Sequence, residues 1–372
     1  MSTPSSERHA SHRYALASLH VERKAKVPAA PRLGWVDYAK GLTIFLVVYG
    51  HTLNSTVHAG FAPLGGFHTL SEDMFSNLIP LFFFLSGLFV ARSFDKRGAQ
   101  EFLLRGVSRL AYPYFIWSLL QAAAEIAFSA ESHHGTTYAT LLAIPYLPLE
   151  QFWFLYTLLL MYPAYVLARR FGRFSSAVLA AAAAVLFWLP IRIHALTLDQ
   201  FSIHLIFFAA GVLLRPWFVG SRVLRLPPWS GPALTAGFLA YALYLLSHEL
   251  DPATALTTHV LHRYYYVSLA VLAGAAVIGW AQLLEDRGWL QMVRLLGEYS
   301  LQIYVAHMFF AAAVRIAVEK LLGPGDPYLI LVGGIAAGIA GPIALCVSMR
   351  RLGLPNLFSP PHLARAGLGR AS

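Results

Sequence analysis

Asp37, Lys40 and His51 interrupt the first long apolar stretch of the chain, Asp37-Tyr-Ala-Lys40-Gly41-Leu-Thr-Ile-Phe-Leu-Val-Val-Tyr-Gly50-His51. Ionisable side chains are costly in a bilayer, so each one inside an apolar segment is a functional candidate. On a helix, the eleven-residue step from Lys40 to His51 turns about 1100° and rises about 16 Å. The two side chains therefore share a face, and Asp37, Thr43, Val47 and Asn54 fall near the same line. Such a stripe belongs against a bundle interior or a water-filled cavity. With Trp35 at the inner interface, Lys40 lies about 7 Å into the membrane and His51 about 24 Å. A cation near the cytoplasm suits phosphate or another anion, while an imidazole suits proton transfer near neutral pH. Coenzyme A, with a phosphorylated head and a long thin arm ending in a thioester, has the shape to join the two positions. The plainer alternatives are a lysine that snorkels to the interface and a histidine that only binds a neighbouring helix.

The rest of the chain supplies a membrane setting for this stripe. Of 372 residues, 57% are hydrophobic and 12% charged, and apolar runs recur from Leu42 to Cys346. This pattern predicts an all-α integral membrane protein, a single bundle of about ten transmembrane helices. The expected spans are 35–55, 74–91, 108–129, 152–168, 174–190, 200–214, 232–248, 264–284, 298–318 and 328–349. Of the 28 lysines and arginines, 23 fall in the two tails and the even-numbered loops. The odd loops carry only Arg192, Arg263 and Lys320. That asymmetry predicts cytoplasmic termini, and it accounts for the net charge of +10 without nucleic acid as a partner. Residues 1–33 read as a polar, flexible cytoplasmic tail without a signal-peptide core, 34–350 as the transmembrane domain, and 351–372 as a C-terminal cytoplasmic tail. Cys346 is the only cysteine and reads as a small core residue. No internal repeat of the kind that marks many transporters is present. No zinc spacing, Walker loop or dinucleotide fingerprint occurs either, so no metal or resident cofactor is expected.

Five blocks in order carry a family resemblance. They are Asp37-Tyr-Ala-Lys40-Gly41 through Gly50-His51, Pro80-Leu-Phe-Phe-Phe-Leu-Ser86-Gly87, Phe102-Leu-Leu-Arg105-Gly-Val-Ser-Arg109-Leu-Ala-Tyr-Pro113, Phe152-Trp153-Phe154-Leu155, and Leu296-Gly-Glu298-Tyr-Ser-Leu-Gln-Ile-Tyr304-Val-Ala-His307. Together, over about residues 32–350, the chain resembles the acyltransferase 3 family. It is most similar to the sugar O-acetylase branch, with its fucose 4-O-acetylases and glucan succinylases. The resemblance implies transfer of an acyl group, acetyl above succinyl, from cytoplasmic acyl-CoA to a hydroxyl of a glycan or lipid-linked saccharide. It also implies a place among membrane lipids, in a bacterial inner (plasma) membrane. By position, the resemblance makes His51 the general base, ahead of a transient acyl carrier, with Asp37 on the same catalytic stripe. Lys40, Arg105 and Arg109 meet the CoA arm and phosphates. The two arginines stand four apart here, where many members space them by three, and positions i and i+4 still share a helix face. As plain positive-inside anchors they need no ligand.

Further candidates for the acceptor side are Glu72, Asp73, Ser86, Trp153 and His307. Each has a structural alternative: solvated loop carboxylates, close packing at Ser86, an aromatic belt at Trp153, and a helix-holding His307. A second function class is a proton-coupled transporter or exporter of a glycan-related solute. It would use Lys40 and His51 as a relay and would leave acyl-CoA unconsumed.

Overall fold

A computed structural model describes residues 33–58, 77–127, 136–219, 224–247, 255–322 and 326–361. Among the described residues every regular element is helical. In chain order they are α1 (Gly34–His58), α2 (Ile79–Ala127), α3 (Tyr138–Ala143), α4 (Trp153–Arg169), α5 (Ser175–Trp188), α6 (Leu198–Phe218), α7 (Ser230–Ser247), α8 (Ala255–Arg287), α9 (Gln291–Glu298), α10 (Ser300–Leu322) and α11 (Pro327–Arg351). Single 3-10 turns precede α4, α5 and α6. A helix lies over each of the ten expected segments. Five helical stretches are long and apolar enough to cross a membrane: Glu150–Arg169, Ala195–Phe218, Val260–Arg287, Ser300–Leu321 and Pro327–Arg351. They mark a multi-pass membrane protein. Helix α1 is 25 residues long, so its polar stripe and not its length keeps it out of that set.

The short helices α3 and α9 lie outside the expected spans, and one long helix joins two of them. The second and third expected spans and the basic loop between them form the single 49-residue α2, broken only at Gly98 (φ 73°). The left-handed backbone there suits glycine, which has no Cβ to clash. Arg105 and Arg109 thus stand on a helix that runs on into the third span.

Packing follows the rule for membranes, where small residues let backbones approach because lipid gives no hydrophobic drive between helices. Helices α2 and α6 cross at Gly87 and Gly211. A Cβ on Gly87 would lie 2.1 Å from the Phe208 carbonyl oxygen, and one on Gly211 2.1 Å from that of Phe84. Helix α11 presents Gly334 and Gly338 to Thr52 and Val48 of α1. Thr43, Thr52 and Thr56 donate their hydroxyls to the carbonyls of Ala39, Val48 and Thr52. Their polarity is thereby satisfied within α1, as an apolar surrounding requires.

The α1 stripe faces inward: Asp37, Thr43 and Val47 are buried, whereas Phe45 is exposed. One core cluster joins α1 to the second half of α2 (Tyr114, Trp117), α10 (Ile303, Val305, Ala306) and α11, where Cys346 is buried. A second joins the first half of α2 (Phe83, Val90) to α4, α5 and α6.

Candidate active site

His51 is half-buried on α1, and its ring lies 5.3 Å, centroid to centroid, from that of His307 on α10. His307 is fully buried. Its Nδ1 lies 3.0 Å from the Ile303 carbonyl and 2.9 Å from that of Tyr304. Two carbonyls can only accept, so Nδ1 carries the proton and the neutral ring keeps its lone pair on Nε2. Nε2 is buried and has no hydrogen-bond partner. The helix that carries His307 is itself pinned, because the Tyr304 hydroxyl donates to the Gln151 carbonyl. Gln151 donates in turn to Gln121 at 2.7 Å. Gln121 donates to Glu125 at 2.9 Å and to Glu150 at 3.0 Å. Glu150 adopts φ 36°, a left-handed conformation rare away from glycine. This amide and carboxylate network was not legible as a unit in the sequence, since its members come from α2 and the turn before α4.

At the other end of the stripe, Lys40 Nζ stands 3.8 Å from Asp37 Oδ1. Asp37 lies fourteen residues from His51, about 21 Å along the axis, so its direct contact is with Lys40 and not with the imidazole. Two glycines of the sequence blocks explain why α9 lies against this end. A Cβ on Gly41 would meet the Val293 carbonyl oxygen at 1.8 Å, and one on Gly297 would meet that of Asp37 at 1.7 Å. Glu298, the next residue, pairs with Arg294 at 3.7 Å.

Arg105 and Arg109 line one solvent-open cleft of about 140 Å³, together with Arg97, Ser86, Ser93 and Tyr162. Arg105 is paired with Glu101 at 2.8 Å. Neither Arg97 nor Arg109 has a carboxylate within ion-pair distance among the described residues. Gly106, set between the two expected arginines, lets α2 close on α4: a Cβ there would lie 2.7 Å from the Tyr162 ring. Arg97 and Tyr162 were missed in the sequence. Arg97 sits just before the Gly98 break, and only the bend places it beside the other two.

Ser86 lines this same cleft, and its hydroxyl donates to the Phe82 carbonyl at 2.8 Å. The structure therefore places it with the arginines and apart from Trp153. Trp153 is half-buried, with His204 at 5.1 Å and Phe83 at 6.3 Å between centroids. Phe154 touches both Phe83 (4.7 Å) and Tyr304 (5.5 Å), so rings from three of the sequence blocks form one wall. Glu72 and Asp73 lie outside the described residues.

A family model described as an acyltransferase domain, that of acyltransferase 3, matches residues 33–348. The chain belongs to the acyltransferase 3 family. No curated protein and no solved structure matches it. Membership establishes acyl transfer as the chemistry in general, and all five blocks that carried the resemblance lie within the matched region.

Proposed function

We propose that this acyltransferase 3 protein moves an acyl group, acetyl before succinyl, from cytoplasmic acyl-CoA to a hydroxyl of a glycan or lipid-linked saccharide, in a bacterial inner membrane. The observation that carries the reading is the close approach of His51 to His307, whose buried Nε2 has no hydrogen-bond partner among the described residues. A buried acceptor left unpaired costs roughly 1–3 kcal/mol, and orienting the neighbouring imidazole during a reaction gives a use for it. His51 takes the proton of the acceptor hydroxyl as its oxygen attacks the thioester carbonyl. The new C–O bond forms, the C–S bond breaks, and the same proton passes from the imidazolium to the departing thiolate. His307, fixed by its Nδ1 hydrogen bonds, orients His51 from the far side. Lys40, held by Asp37, meets the donor below this centre.

The cleft of Arg97, Arg105 and Arg109 supports an anionic donor. Guanidinium groups bind phosphate oxygens in pairs of parallel bonds, and among the described residues two of these three cations have no carboxylate within ion-pair distance. Ser93 and Tyr162 add hydroxyl groups at the same wall. Calorimetric titration of purified protein with acetyl-CoA tests the reading. Saturable binding that weakens at least tenfold in Arg97→Ala/Arg109→Ala is the expected result. A folded parent protein that binds no acyl-CoA would contradict the proposal and favour transport.

A further inference from the structure

Arg263 stands near the start of α8 and is only 9% exposed. Burying a guanidinium costs several kcal/mol unless something answers its charge. Its one close contact of that kind is the Phe187 ring, with the guanidinium carbon 5.3 Å from the centroid. Among the described residues no carboxylate lies within ion-pair distance of it. The nearest candidate, Asp199, acts on it only across space and is itself paired with His194 at 2.8 Å. None of its guanidinium nitrogens is among the sealed, unpartnered atoms of the described residues. A cation at this end of α8 also runs against the charge asymmetry read from the sequence, which assigns 23 of the 28 basic residues to the other side.

The surroundings of Arg263 connect to the reacting centre. Tyr266, one turn along α8, donates its hydroxyl to His204 Nε2 at 2.8 Å, because Nδ1 of that ring is committed to the Gln200 carbonyl at 2.8 Å. His204 packs on Phe83 at 4.9 Å and on Trp153 at 5.1 Å. From there the aromatic wall continues through Phe154 to Tyr304, next to His307 in the same helix.

We infer that Arg263 is the anchor for an oxyanion carried by the acceptor, either the carboxylate of an acidic sugar or the diphosphate of a lipid-linked saccharide. This inference rests on the acyltransferase reading above and names the acceptor class for that same site. Arginine suits both anions, since its planar fork matches the two oxygens of either group. Trp153 gives the sugar ring a flat face, and the acceptor hydroxyl then lies along the wall toward His51. A neutral saccharide would leave the buried guanidinium unanswered, so the site selects for charge.

The test uses the full chain in nanodiscs and three probes without acyl-CoA: methyl glucuronoside, geranyl diphosphate and, as the neutral control, methyl glucoside. One anionic probe should bind at least tenfold more tightly than the neutral one. The glucuronoside identifies a sugar carboxylate as the source, and geranyl diphosphate a lipid diphosphate. Arg263→Gln should remove that preference and leave acetyl-CoA affinity within twofold of the parent. Equal binding of charged and neutral probes, or an unchanged preference in Arg263→Gln, would overturn the assignment. If Arg263→Gln does not fold, Arg263→Lys carries the test: a point charge in place of a fork should weaken the anionic probe at least threefold, and unchanged affinity would overturn it. Because acetyl-CoA binding is read separately, failure of the donor reading shows there and not in the probe titrations.

Discussion

A neutral imidazole offers one donor and one acceptor, and His307 commits its donor to its own helix, at Ile303 and Tyr304. What remains is an acceptor held in a fixed direction beside His51. The two histidines therefore have different tasks, and their variants should differ in kinetics. His51→Ala removes the proposed general base, and the expected loss in kcat is roughly 10²- to 10⁴-fold. His307→Ala leaves the base in place but releases its orientation. A loss in kcat on the order of tenfold is expected, with KM for acetyl-CoA unchanged, the sign of an interaction made in the transition state alone. Steady-state rates of acyl transfer to the acceptor, measured on protein of unaltered melting temperature, check both. Normal kcat in a folded His51→Ala protein would make that ring structural. In the proposed reading Lys40, paired with Asp37, meets the donor, so Lys40→Ala should show first as a raised KM for acetyl-CoA.

Helices position these groups through glycines, and the glycines are of two physical kinds. Gly41 and Gly297 have ordinary helical backbones but no room: an added Cβ would sit 1.8 Å and 1.7 Å from carbonyl oxygens across the α1–α9 crossing. Gly98 has room, with nothing within 4 Å, but a backbone of φ 73°. Gly41→Ala must push two helices apart at the Lys40 end, at a cost of roughly 1–3 kcal/mol by analogy with overpacked cores. Gly98→Ala meets only local strain, about 1–2 kcal/mol. Thermal unfolding in detergent should show both losses. Both should also raise KM for acetyl-CoA, Gly41→Ala through Lys40 and Gly98→Ala through Arg97. Equal KM values for Gly41→Ala and the parent would separate the crossing from the site. The sequence showed Gly41 and Gly297 as members of motifs, but not their reasons, because each reason is a carbonyl contributed by a segment far away in the chain. The i, i+4 reading of Arg105 and Arg109 needed only local helix geometry, and it holds in the cleft. Arg97 needed the bend at Gly98, which no period in the sequence announces.

At the scale of the molecule, hydropathy alone located the helices, since a backbone in lipid must satisfy its hydrogen bonds within each segment. It did not locate α9, whose eight residues from Gln291 to Glu298 are too short and too polar to register as a span. Nor could it show that the two histidines meet, because residues 51 and 307 are brought together by the packing of α1 on α10. The charge asymmetry of the sequence predicts the direction of the bundle, and with it the side from which each substrate enters. If acyl-CoA, a multiply charged anion that does not cross a bilayer unaided, is the donor as proposed, the arginine cleft opens to the cytoplasm. Cys346 is the only cysteine, so Cys346→Ala provides a background for side-specific labelling. In that background, Ser93→Cys reports the arginine cleft and Arg192→Cys the opposite side. A membrane-impermeant maleimide should label Arg192→Cys in intact cells and Ser93→Cys only after the membrane is opened. Saturating acetyl-CoA should then slow labelling of Ser93→Cys, because the donor head would cover that wall, and leave Arg192→Cys unaffected. Labelling of Ser93→Cys in intact cells would invert the bundle, place the cations away from the cytoplasmic donor, and remove the basis for acyl-CoA as the group that Lys40 and the arginines receive.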